Sequence, residues 1–62
     1  MTLDEQIEWL QQKIKDNYKL ANKCLNDNDV EGCFKFSGNI YKYQLVINSL
    51  EELKKLTVEE EG

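Results

Sequence analysis

Sixty-two residues make at most one domain, near the lower limit of what folds by itself. Twelve acidic residues stand against eight basic ones, all of them lysine, and the net charge of −4 gives little affinity for nucleic acid or an anionic membrane. The absence of proline, with glycine only at 32, 38 and 62, leaves one punctuated region near the middle and excludes a fold of many strands.

The opening stretch, MTLDEQIEWL, has neither a basic region nor an apolar run, so it does not read as a signal peptide. The longest apolar run, Leu45-Val46-Ile47, is far too short to cross a bilayer. Two cysteines without a targeting segment point to a reducing, cytoplasmic setting.

Thr2 followed by Glu5 forms a capping box at the start of a first helix. Asp4, Glu5 and Glu8 then favour the positive end of its dipole. Apolar residues recur at Leu3, Ile7, Leu10, Ile14, Ala21 and Cys24, a heptad seam whose one polar member is Asn17. Tyr18 and Leu25 widen the seam on one side. The spacing predicts a helix over about 3–25.

Asn26-Asp27-Asn28-Asp29 is expected to be the turn, because short polar side chains compete with the helix for backbone hydrogen bonds. Asn28 and Glu31 offer a second capping box. A second helix is expected over about 30–56, with Val30, Cys33, Phe36, Ile40, Tyr43, Ile47 and Leu50 along its seam and Leu53 and Leu56 continuing it. Glu31–Lys35 and Glu51–Lys55 are solvated i,i+4 pairs. Residues 57–62 form an acidic tail that is expected to fray.

Folding the two seams about the turn pairs Cys24 with Cys33, Ala21 with Phe36 and Asn17 with Ile40. It also pairs Ile14 with Tyr43, Leu10 with Ile47 and Ile7 with Leu50. Both seams come into register together, which defines an all-α, two-helix antiparallel hairpin spanning 1–56. Asn17 is then a register-setting polar contact, with the Tyr43 hydroxyl within reach.

One helix–helix seam buries too little to stabilise a chain of this size, so the hairpin is expected to pair into a homodimeric four-helix bundle. The second helix carries an additional apolar line at Phe34, Tyr41 and Leu45, and small residues at Ser37 and Gly38 allow another helix to approach. Trp9 also lies off the seam. These six are the candidate residues for contact with another copy or with another protein.

Catalytic and metal chemistry find no complete set. Asp27-Asn28-Asp29-Val30-Glu31-Gly32-Cys33-Phe34 matches the first eight positions of a calcium-binding EF-hand loop, but Gly38 stands where the bidentate glutamate is needed. With no histidine, a cysteine nucleophile lacks its base, and a zinc site would need four thiolates from two chains. Neither enzymatic activity nor a cofactor is expected.

The layout resembles the plasmid copy-number protein Rop, a homodimer of short helical hairpins with an acidic tail. That likeness implies RNA binding through the outer face of helix 1, where Lys13, Lys15, Lys19 and Lys23 lie among Gln12 and Asp16. The stretch Cys33-Phe34-Lys35-Phe36-Ser37-Gly38-Asn39-Ile40-Tyr41 is similar to the signature of the small sporulation aspartyl-phosphate phosphatases. Ser37 and Ile40 match it, and the family's acidic residue falls on Tyr41, which implies a relative without the activity. A tiny acidic helical chain of AT-rich codon usage also looks like the phage- or mobile-element-encoded proteins that bind and inhibit a host factor. That resemblance sets the leading expectation, a non-enzymatic protein-interaction module.

Overall fold

The computed structural model describes the backbone of residues 1–61 and the side chains of residues 1–57. It is all-α, with helix α1 over Leu3–Asn26 and helix α2 over Val30–Glu61, packed side by side as an antiparallel hairpin. The molecule is a rod of 51 × 15 × 13 Å, one helix thick in its shortest direction.

The start of α1 is held by the Thr2–Glu5 box. The Glu5 N–H donates to Thr2 Oγ1 at 3.1 Å, and the Thr2 N–H donates to Glu5 Oε1 at 3.2 Å. At the other end the Asp29 N–H reaches back to the Cys24 carbonyl at 2.7 Å, and the Asn28 N–H to the Leu25 carbonyl at 3.2 Å. These two bonds form a Schellman motif, which needs a left-handed residue between them. Asn28 supplies it, with φ of 58°.

Asn28 therefore closes α1 and does not cap α2, which corrects the expected Asn28–Glu31 box. Asp29 is the cap: its Oδ1 accepts the Gly32 N–H at 3.0 Å and its carbonyl accepts the Cys33 N–H at 3.0 Å. The physical reason is that asparagine tolerates the left-handed region better than aspartate does, so Asn28 takes that position and Asp29, one residue on, is left to cap α2. Gly32 is needed here, because a Cβ at this position would stand 2.5 Å from both Cys24 Sγ and Asp29 Oδ2.

The helix end expected near 56 is passed, and α2 continues to Glu61. No glycine or proline interrupts the segment before Gly62. The Thr57 hydroxyl donates to the Leu53 carbonyl at 2.9 Å, within the helix. The side chains of the acidic tail beyond Thr57, and Gly62 itself, lie outside the described residues. The seam does not continue through Leu53 and Leu56, which are half exposed. Their spacing rotates them away from α1, and Lys54 comes round instead to pair with Asp4. Both groups are largely exposed, so this pair contributes well under ~1 kcal/mol.

The core is small. Ile7, Leu10 and Ile47 are buried, with Ile47 only 2% exposed, and Ile14, Tyr43 and Leu50 pack against them. This cluster lies in the half of the hairpin away from the turn. No large side chain among the described residues is fully enclosed.

The left-handed Asn28 gives a direct test. Asn28→Gly is expected to leave stability unchanged or raise it, while the β-branched Asn28→Val costs about 1–2 kcal/mol in urea unfolding. Equal stability of the two variants would contradict the closure of α1 through Asn28.

Candidate functional site

Twelve of the expected seam positions are buried or half-buried, as is Leu3, whereas Val30 is 63% exposed and leaves the seam, because it falls about 100° round α2 from Ile47. Ile7, Leu10, Asn17 and Ile47 are buried, and Ile14, Ala21, Cys24, Cys33, Phe36, Ile40, Tyr43 and Leu50 are half-buried. Tyr18 and Leu25, expected to widen the seam, are 56% and 67% exposed.

Asn17 is the one buried polar side chain among the described residues. Its Nδ2 donates to the Lys13 carbonyl one turn back at 2.7 Å, and its Oδ1 accepts from Asn39 Nδ2 at 3.2 Å. The partner across the seam is thus Asn39, not the Tyr43 hydroxyl. Among the described residues no buried side-chain nitrogen or oxygen lacks a partner. Asn39 was legible only through the register: it precedes Ile40, the residue set opposite Asn17.

Both cysteines are free and half-buried. Cys33 Sγ points at the Ala21 carbonyl, 3.8 Å away, and Cys24 faces Gly32 and Asp29 at the turn. The Cys24 thiol is pushed above the ordinary cysteine value, first by desolvation and then by the negative Asp29 carboxylate, which also hydrogen-bonds to it. It therefore stays protonated at neutral pH and is a poor nucleophile.

The turn acids do not assemble into a metal cluster: no group of three or more cysteine, aspartate or glutamate residues converges among the described residues. Lys15, Lys19 and Lys23 share the outer face of α1 at four-residue spacing, Lys13 lies to one side beside Trp9, and Asp16 among them accepts the Gln12 amide at 3.1 Å. No helix is long and apolar enough to cross a membrane among the described residues.

What the hairpin leaves uncovered is apolar. On one flank, near the turn, Tyr18 and Leu25 of α1 border a groove with Cys33, Ser37 and Ile40 of α2, and the groove runs on to Val30 and Phe34. Phe34 is 76% exposed and Tyr41 67%. On the opposite flank, toward the open end, Met1, Trp9 and Leu10 meet Val46 and Leu50 around a second concavity. Helical periodicity puts Val46 and Phe34 on opposite sides of the α2 seam. Trp9 is half exposed there, with Lys13 Nζ 5.0 Å from its ring centre. A third depression on the back of α2 joins Leu45, Leu53 and Leu56.

Comparison with protein-family models, with curated proteins and with solved structures finds no match to this chain. The six candidate interface residues consequently stand on geometry alone. Trp9 belongs to the open-end concavity, whereas Phe34, Ser37, Gly38, Tyr41 and Leu45 belong to α2's outer surface. The sequence singled out Trp9 but not Met1 and Val46 beside it. Val46 sits next to seam residue Ile47, and only the handedness of the hairpin tells which flank it takes.

Two outcomes test this description. Asn39→Ala strands the buried Asn17 Oδ1 without a donor and is expected to lower stability by about 1–2 kcal/mol. Replacing both asparagines by leucine should recover that loss in urea unfolding. Separately, Cys24 in a Cys33→Ala background should react with iodoacetamide more slowly at pH 7.5 than a free cysteine does. Its rate should keep rising with pH after that of a free cysteine has levelled off.

Proposed function

We propose that the chain is a protein-interaction module without catalytic activity of its own. It acts as a small regulator or inhibitor of the phage type, binding another protein while paired with a second copy of itself. The observation that carries this reading is the open-end concavity, where a half-exposed tryptophan stands with Met1, Val46 and Leu50 on a scaffold that, among the described residues, buries only three apolar side chains well. Tryptophan is the side chain most enriched among residues that dominate binding energy, and it does so from well-packed apolar surroundings. Lys13 over the ring supports it at one edge and leaves the rest open.

Small monomers rarely expose so many large apolar side chains, and surfaces of this kind mark contact with protein. A Rop-like RNA reading draws on the four lysines of α1, but Asp16 lies among them and the net charge is −4. The protein reading is therefore preferred.

The test compares partners captured from source-cell extract by wild type and by Trp9→Ala. The expected outcome is one or more proteins retained by wild type and lost by the variant, with circular dichroism unchanged. Identical partner sets would remove the Trp9 surface from the proposal.

A further inference from the structure

Gly38 sits inside α2, in its third turn, where glycine weakens a helix relative to alanine. Nothing within the hairpin requires it: a Cβ built there meets no atom within 4 Å. Gly32, by contrast, is demanded by the turn. The residues around Gly38 have a second property. Outward from the Ser37–Gly38 bond come Phe34 on one side and Tyr41 on the other, then Val30 and Leu45, at matching distances along the chain. The apolar stripe is a palindrome with small residues at its centre, and its four large members are between 48% and 76% exposed.

A two-fold interface needs one patch that is complementary to itself. We propose that a second copy of this chain covers the outer face of α2, the two α2 helices lying antiparallel with the two-fold axis over Ser37–Gly38. This rests on the reading of the chain as a self-pairing interaction module and assigns the pairing to one face. In this arrangement Phe34 packs beside the partner's Tyr41, and Val30 beside the partner's Leu45. Gly38 lets the backbones approach where they cross. The open space over Gly38 is filled by the other helix.

Charge agrees with this direction. Glu31, Lys35 and Lys42 are exposed and lie on the same flank of the stripe, and none of them forms an ion pair among the described residues, so the expected Glu31–Lys35 pair is not made. Antiparallel helices bring like flanks together, so the partner's Lys42 arrives between Glu31 and Lys35, twice per dimer, and Glu31 offsets the repulsion from Lys35. Area agrees as well. Complete coverage of Val30, Phe34, Tyr41 and Leu45, with Leu25 beside them in the groove, would bury at most roughly 600 Å² per copy, about 1,200 Å² for the pair, which reaches the lower edge of a stable specific interface. The Trp9 concavity lies on the other flank and stays free.

Sedimentation equilibrium of the full chain tests the proposal, with circular dichroism as the control on folding. Wild type is expected to be dimeric at micromolar concentration. Gly38→Leu, which improves helix propensity, should weaken association by about tenfold or more while helicity is retained. If that variant loses helicity, Gly38→Ala takes its place and should weaken association while raising the melting temperature of dilute, dissociated chain. Glu31→Lys, which sets the partner's Lys42 between two lysines, should weaken association, and adding Lys42→Glu should restore it. A wild-type monomer at tens of micromolar, or a dimer indifferent to both Gly38 variants, overturns the proposal. Charge reversals that do not compensate overturn the antiparallel order. Trp9→Ala should still dimerise, so failure of partner capture and failure of this pairing are distinguishable.

Discussion

Each helix of this chain has one neighbour, and a helix with one neighbour can bury one stripe. The rest of the structure follows from that limit. α1 is content with it, since its remaining surface is lysine, glutamine, asparagine and acid apart from Trp9, Tyr18, Leu20 and Leu25. α2 is not, because its middle is apolar nearly all round, and Ile47 alone takes the deeply buried position while Phe34, Tyr41, Leu45 and Val46 remain in solvent. The hairpin is thus a folded unit with an unmet demand for burial, concentrated on its second helix.

Within the single stripe, specificity comes from polar atoms. Apolar seams slide at little cost, whereas the Asn17–Asn39 bond has one good register. Its geometry is reinforced by the second Asn17 bond, to the Lys13 carbonyl, which fixes the amide before it reaches across. The turn makes the same selection by backbone means, through Asn28 in the left-handed region, Asp29 as cap and Gly32 in the only space available to it.

The hairpin was legible because the information it needs is local and periodic. Thr2 and Glu5, the four polar residues at 26–29 and the three- and four-residue steps of both seams each report on a few neighbouring residues. The misses share a different origin. Asn28 and Asp29 are both good caps, and which one opens α2 depends on the dihedral that closes α1. Asn39 pairs with Asn17 through an offset of one residue from the position set opposite it. Leu53 and Leu56 keep helical spacing but drift off the stripe as α1 runs out. Val46 joins Trp9 because of the side of α2 on which it emerges, a fact of three-dimensional handedness that a list of apolar positions does not contain.

The placement of the core has a consequence for how the hairpin opens. If the tightest packing stood beside the turn, the far end could peel away in small steps, each releasing little. Here Ile7, Leu10 and Ile47 are clamped near the chain's free end, the asparagine pair is nearer the middle, and the turn is pinned by its own backbone bonds. Unzipping from the free end must give up the most buried contacts first. Once they are lost, too little remains to hold the other half together. The free-end cluster is therefore the part of the hairpin whose loss removes the most buried contact.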